Sequence, residues 1–600
     1  MNLRKCFASL LICNLWLSAL FAGRIEITYP WDGKKIPAVK KTFVLGNIQP
    51  STATLYINGE KIDVYKTGSF IAQVPVAPGD FAFNCELFDG DATNYYSREI
   101  KVAAPLLAAV STSTLNLKII SPASDEILKE GDLLNVLAIG TPGKKAEFTL
   151  KGLVKHYPMT EMPRNSGRYY AAYFIRGGKR VKKKKLEIKL FGGAFPGKIS
   201  VKSDARISVD NVPWLVVTST DNAVIRNGVN GGYMMFLCEG VKLVADGKIG
   251  PMIRVRLAEN FSGWIHESKV EKLPAAALWP DAETRTISIS TTSRGIIAKV
   301  SMWGKMPYMV LEKGREISVR LFYTRVHSNW VIYNSQDNFL KAVSFETPAT
   351  NVAQVNLTTK EKIWGYDVYY RNNALFIEVR KEPKIAGKWP KPLKNLRVVL
   401  DPGHSMLVGG RPMKENPPYD GAISPSGWTE CEANLEIARQ IEKDLLKLGA
   451  TVYMTRKGGE EVPLKERPKI AKKAGGDIYI SIHNNAIADG RDPFAAPRGF
   501  SIYFYHAHSM AFAKSIHDSF VRSINLPDEG LRFGDYHVVR MTYMPSILVE
   551  NAYMIFPEHE EMLKSARFRA KLSKAVCKGI LDFFEVPKKK RRVRRRRRKR

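Results

Sequence analysis

Cysteine is scarce in this chain, and acidic residues are heavily outnumbered. Six cysteines occur in 600 residues. Cys6 and Cys13 fall in an N-terminal apolar stretch, while Cys85, Cys238, Cys431 and Cys577 are widely scattered. That spacing excludes a zinc ribbon and a dense disulfide framework. The one long apolar stretch, Leu10 to Ala22, is shorter than the ~20 residues of a usual membrane span. Asp and Glu number 58 against 92 Lys and Arg, a net charge of +34. Twelve of those cations crowd between Lys588 and Arg600, which leaves +22 for the rest. Such a balance favours acidic partners: anionic glycans, lipid headgroups or nucleic acid. The basic segments lack interleaved aromatic-rich strands or a nucleic-acid-binding fold, so charge alone supports the last of these. A composition of 45% hydrophobic and 25% charged residues is that of ordinary globular protein, and the length predicts several domains.

Arg4 and Lys5 before Leu10–Ala22 form an export signal over residues 1–23, cleaved after Ala22 or retained as an anchor. Residues 24–105 read as β structure. Leu55-Tyr56-Ile57 runs into Asn58-Gly59, a pair suited to a two-residue hairpin turn, followed by Ile62 and Val64. Ile27-Thr28-Tyr29-Pro30 is echoed about 92 residues later by Ile119-Ile120-Ser121-Pro122. Two tandem β-sandwich modules are expected, 24–105 and 115–210, joined by the small-residue stretch Ala103–Thr114. Lys179 to Lys185 is either a solvated hairpin tip or a contact for an anionic polymer. Residues 278–385 are β again, closing with Ala374 to Val379, and Pro383–Pro392 reads as a linker.

After that linker the pattern changes to alternating strand and helix. Arg397–Leu400, Thr451–Met454, Asp477–Ile482, Phe500–Phe504 and Ser546–Val549 read as strands. Residues 430–448, 464–474, 509–524 and most of 558–584 read as helices. The fold class is therefore multidomain: N-terminal all-β modules followed by a C-terminal α/β domain with a mostly parallel sheet flanked by helices. Ligands of such sheets gather beyond the carboxyl ends of the strands. His404, His483 and Glu550 all fall there.

Singly, His404 would read as a turn residue and His483 as a core imidazole. Together, two histidines and one carboxylate from separate elements suit one hydrolytic zinc ion, and a second carboxylate, Glu430 or Glu550, can take a proton from its water. Thr429 with Glu432 fits a capping box, which frees Glu430 to face the metal; Glu432 is the alternative ligand.

Leu400-Asp401-Pro402-Gly403-His404, Ala422-Ile423-Ser424-Pro425-Ser426-Gly427, Glu430, Asn434-Leu435, Ala438, Thr455-Arg456, Leu464 with Arg467, Ser481-Ile482-His483-Asn484-Asn485-Ala486, Val539-Arg540, Met544-Pro545 and Leu548-Val549-Glu550 occur in order. With these, residues 394–585 resemble the zinc-dependent N-acetylmuramoyl-L-alanine amidase family. The resemblance implies that His404, Glu430 and His483 bind one Zn2+ and that Glu550 is the catalytic carboxylate. It implies an exported hydrolase, in the periplasm or cell wall, that cuts the amide between N-acetylmuramic acid and L-alanine in peptidoglycan. Asn485 and Arg540 are candidates to hold the substrate. Arg456 and Arg467 could instead pair with carboxylates beneath the loops.

Residues 211–273 resemble a small barrel of bacterial Src-homology type, through Val224-Ile225-Arg226, Gly240-Val241 and Gly263-Trp264-Ile265. Residues 278–385 resemble in pattern the β domain that precedes the catalytic part of many cell-wall amidases. The chain departs from the family pattern in four places. Ser405 replaces a glycine, and Met406–Pro418 is an insertion expected at the rim of the site. Cys431 replaces a basic residue. Ile555-Phe556 stands where Ser-Asn is common. Only 15 residues separate His483 from Gly499, too few for the inhibitory helix of some relatives, so an open site is expected. The tail 586–600 cannot fold alone; it is either a tether to anionic wall polymer or membrane surface, or dispensable. The rival reading of the whole chain is a non-catalytic peptidoglycan or anionic-polymer binding protein.

Overall fold

A computed structural model of the chain describes residues 23–589, except 91, 106–114, 193–196, 336–337, 373, 413–419 and 496–497. The export signal, the second half of the rim insertion and most of the basic tail lie outside the described residues. The chain divides into two compact units. One joins residues 1–106 to 382–600; the other is 107–381. The first β module thus shares a unit with the C-terminal residues from 382 onward.

In that first module, the strands Arg24–Tyr29, Lys41–Gln49 and Ser69–Pro75 form one sheet. Lys34–Ile36, Ala92–Val102, Gly79–Asp89, Thr54–Ile57 and Glu60–Ile62 form the other. Alternating Val44, Leu55, Ile57, Phe70, Phe83 and Leu87 fill the space between them. Asn58 and Gly59 take φ of +50° and +82°, the two positive values that a two-residue hairpin turn requires.

The 107–381 unit repeats this plan and then extends it. Leu117–Ser121 pairs antiparallel with Leu133–Gly140, as Arg24–Tyr29 does with Lys41–Gln49. Glu126–Leu128 pairs parallel with Lys198–Val209, as Lys34–Ile36 does with Ala92–Val102. Strands from Trp214 to Lys272 enclose a core of Ile225, Leu237, Leu243, Val255 and Ile265. From Ala282 to Arg380 two sheets pack over Ile287, Ile296, Val319, Val355 and Ile377.

The C-terminal part of the first unit is a six-stranded sheet with helices. Its order is Thr451–Met454, Arg397–Pro402, Ile478–Asn485, Ser546–Tyr553, Phe500–Phe504, Asp528–Phe533. Four pairings are parallel, and Phe500–Phe504 runs antiparallel to Ser546–Tyr553. The helix Glu430–Lys447 buries Leu435, Ile437, Ala438, Ile441 and Leu445, an apolar stripe at helical spacing. Shorter helices span Arg467–Lys473 and Ala507–Ser523. The last helical stretch breaks at Ser565 into Pro557–Lys564 and Ala566–Phe583.

Two central strands run further than sequence predicts. Ile478–Asn485 continues three residues past Ile482, and Ser546–Tyr553 four past Val549. Their polar ends stay extended because they pair with each other, up to Asn485 opposite Tyr553. His483 and Glu550 therefore sit inside paired strands, directly opposite one another.

Candidate metal centre and active site

His404 follows the Arg397–Pro402 strand, His483 lies in the adjacent strand, and Glu430 opens the long helix. One ligand atom from each lies within 4.8 Å of the others. His404 Nε2 is 3.2 Å from Glu430 Oε2, and His483 Nδ1 is 3.0 Å from Glu430 Oε1. The two rings meet edge to face at 4.9 Å. Both are partly exposed, whereas Glu430 is buried.

Local geometry explains each placement. Thr429 and Glu432 complete the capping box, with the Thr429 amide donating to Glu432 Oε2 at 2.9 Å. Glu432 thus turns back to the helix end and Glu430 turns to the imidazoles. The Glu430 carboxylate also accepts from Ala422 N at 2.8 Å, Asn484 N at 3.1 Å and Asn434 Nδ2 at 3.2 Å. Gly403 has no room for a side chain, since a Cβ there would stand 2.2 Å from the His483 ring.

Sequence reading passed over Asp420. Its Oδ1 lies 2.8 Å from His404 Nδ1, and its Oδ2 accepts from Ser405 N. A carboxylate on the far nitrogen of an imidazole fixes its tautomer and leaves Nε2 for a metal. The only sequence signal was an acidic residue closing the inserted loop. Within that loop, Leu407–Val408 and Arg411–Pro412 form a short hairpin.

Beneath the site Asp401 is fully buried. It pairs with Arg467 Nη1 at 2.6 Å and accepts from Thr455 Oγ1, Tyr479 OH and Ser481 Oγ. Burial alone would raise its pKa, but Arg467 and these donors hold it below the usual carboxylate range. Arg467 also donates to His404 O at 2.8 Å, which links this network to the histidine. Among the described residues Arg456 bonds no carboxylate; its guanidinium spans the carbonyls of Pro402, Gly403, Cys431 and Gly458.

The electrostatics separate the carboxylates. Burial opposes ionisation of Glu430, yet His404 and His483 hold its pKa well below the ordinary value. Burial likewise disfavours charge on His404, but Glu430 and Asp420 raise its pKa well above the usual range. Glu550 behaves in the opposite sense: burial of its carboxyl, then the charge of Glu430, raises it well above a normal carboxyl. Its buried Oε2 has no hydrogen-bond partner among the described residues. Asn485 Oδ1 accepts from Ala486 N, and Arg540 is ion-paired to Asp535 at 2.6 Å over the Tyr505 ring. Between His483 and Gly499 the described residues contain no helix.

Residues 398–582 match the family model described as N-acetylmuramoyl-L-alanine amidase. A "Probable cell wall amidase LytH" of Staphylococcus aureus is 32% identical over 201 residues, covering 33% of this chain and 62% of that protein. The chain therefore spans less than two thirds of the length of the curated relatives it matches. Among solved structures, the amidase AmiC2 of Nostoc punctiforme is 28% identical, covers 32% of this chain and 97% of its own, and has a TM-score of 0.28. The catalytic domain of the amidase CwlV from Bacillus (Paenibacillus) polymyxa var. colistinus gives 28% identity, 32% and 99% coverage and a TM-score of 0.28. By its sequence, the stretch 398–582 of this chain is a domain of the N-acetylmuramoyl-L-alanine amidase family.

Proposed function

We propose that the chain hydrolyses the amide between N-acetylmuramic acid and L-alanine in peptidoglycan, with one zinc ion held by His404, Glu430 and His483. The observation that carries this reading is the convergence of two imidazoles and a buried carboxylate within 4.8 Å, beside the orphaned oxygen of Glu550. The donor set fits zinc: nitrogen and oxygen ligands, three in number, with an orienting carboxylate behind His404. When bound, zinc supplies Lewis acidity toward the scissile carbonyl and lowers the pKa of water to about 7.

The protein's own part is proton transfer and orientation. Glu550 pairs with His483 across adjacent strands, and its buried Oε2 makes no hydrogen bond among the described residues, so it is available to take a proton from the attacking water. A raised pKa lets the same oxygen return that proton to the departing L-alanine nitrogen. Asp420, Asn434 and the amides of Ala422 and Asn484 keep His404 and Glu430 from rotating. We assign Asn485 and Arg540 to substrate contact, Arg540 being pre-oriented by Asp535.

A wall substrate implies export through residues 1–23. Among the described residues no helix is long and apolar enough to cross a membrane. We also propose that the tail tethers the chain to anionic wall polymer or membrane surface. Lys182 to Lys185, exposed on the Val181–Phe191 strand, offer a second contact of that kind. The deciding experiment measures zinc content and release of L-alanine amino groups from purified peptidoglycan, with Glu550→Gln as the control. Zinc-loaded wild type that releases nothing would leave the non-catalytic binding reading in its place.

A further inference from the structure

The first β module is not joined to the catalytic residues by chain continuity, yet it grips them. Phe43 and Leu45, on the Lys41–Gln49 strand, share a buried cluster with Tyr553, Ile555 and Phe556. Tyr29, Ile71 and Ile487 pack around it, and Tyr29 stacks on Phe43 at 5.3 Å. Ile555 and Phe556 are 3% and 0% exposed. These are the two residues that depart from the family pattern after Glu550, and the module is what they meet.

A polar ring surrounds this apolar patch. Tyr29 OH donates to Asp489 Oδ1 at 2.5 Å, and Lys34 Nζ lies 3.3 Å from Asp489 Oδ2. Thr28 Oγ1 donates to Pro425 O at 2.7 Å. Buried Glu560 accepts from Ser69 Oγ of the module, from Ser424 and Ser426, and from Lys564. Tyr65 OH and Lys66 both reach Glu561. Val39 presses so closely on Gly490 that a Cβ there would stand 2.2 Å from it.

Besides Glu560 and Glu561 on the Pro557–Lys564 helix, the module touches three particular segments. Ile487, Asp489 and Gly490 follow His483 by four to seven residues. Tyr553, Ile555 and Phe556 follow Glu550 by three to six. Pro425 precedes Glu430 by five. Each segment has a direct link back to the site. Met554 N donates to Asn485 O, Asn551 Nδ2 donates to His483 O, and Ala422 N donates to Glu430.

We propose that residues 24–102 are a built-in part of the active-site body. The module clamps the segments bearing Glu430, His483 and Glu550, and Tyr29, Lys34 and Phe556 act as positioning residues. A buried aromatic and aliphatic centre with a polar ring is the anatomy of a stable, specific interface. The ligands and Glu550 depend on placement to about 0.5 Å, which paired strands alone do not enforce at their free ends. The activity part of this inference rests on the amidase reading above; the docking part does not.

The test uses the full chain with a protease site inserted in the 106–114 stretch. After cleavage, the 24–105 piece should co-elute with the remainder on size exclusion, and Phe556→Asp should release it. Because Phe556→Asp could misfold, Tyr29→Phe with Lys34→Ala is made on the module's face as well. Both variants should lose zinc to a chelator at least tenfold faster and show kcat reduced about tenfold or more. Phe556→Leu should restore both. A piece that separates from the wild type overturns the proposal. So does release by Phe556→Asp with zinc retention and kcat unchanged. If the wild type proves inactive, the proposed function fails, and co-elution with zinc-loss rates still decides for or against the clamp.

Discussion

Replacing Gly403 by alanine should disable the site through a single methyl group. Gly403 has no positive φ, so alanine meets no backbone penalty there. The obstacle is the His483 ring: the new Cβ would lie 2.2, 2.3 and 2.7 Å from Cε1, Nε2 and Nδ1. Ordinary contact begins at 3.4 Å, so the ring or the backbone must retreat by about 1.2 Å. Neither can do so freely. His483 is held by Glu430 at 3.0 Å and through its carbonyl by Asn551. Gly403 is held by its amide to Ile482 O and by its carbonyl to Arg456 and Asn434. A metal ligand tolerates about 0.2 Å of error. The expected result is zinc affinity lower by at least ~10–100-fold, and kcat/KM lower by ~100-fold or more. Chelator competition and peptidoglycan hydrolysis measure these, with circular dichroism as the folding control. A folded Gly403→Ala protein with wild-type zinc affinity and activity would refute the assignment of His483 as a ligand.

Asp420→Asn removes the acceptor behind His404 and should lower zinc affinity by ~10–100-fold without unfolding the protein; unchanged chelator competition would sink that role. Asp401→Ala leaves Arg467 charged and buried with three hydroxyl donors unmet. It should cost about 3–5 kcal/mol in denaturant unfolding of the catalytic unit, and a loss under 1 kcal/mol would contradict the network's importance. Burial pushes Glu126 up to about 7. In the folded chain it keeps a proton that the unfolded chain has already released, so its contribution to stability is greatest in acid. That contribution is lost as pH rises from the ordinary glutamate range through 7. Glu126→Gln should therefore flatten the fall in melting temperature between pH 5 and 8; an identical slope would show that another group is responsible.

Features set by local chemistry were legible before any coordinates. The Asn58-Gly59 turn and the Thr429–Glu432 box are each decided by residues within four positions of one another. The stripe Leu435, Ala438, Ile441, Leu445 shows in the same way. The convergence of His404, Glu430 and His483 was legible for a different reason: two short apolar strands and one capped helix leave few ways to arrange their ends. Long-range pairing left weaker traces. Asp420 reaches His404 across an insertion, with no periodicity to announce it. The Asp528–Phe533 strand begins Asp-Glu-Gly and is only partly buried, so alternation never shows. Arg456 resembled an ion-pairing residue because sequence cannot distinguish a buried carboxylate from converging carbonyls. Ile555-Phe556 looked like a loss of polar residues near the site. Their cause, the face of Phe43 and Leu45, lies more than 500 residues upstream.

That separation has a consequence for biosynthesis. The strand bearing Phe43 and Leu45 is complete long before its counterpart exists. At ~5–20 residues per second, the 450-odd residues between the module and Phe556 take roughly 20–90 s to synthesise. For that interval a newborn chain carries the apolar face of Phe43 and Leu45 without the residues that bury it in the finished fold.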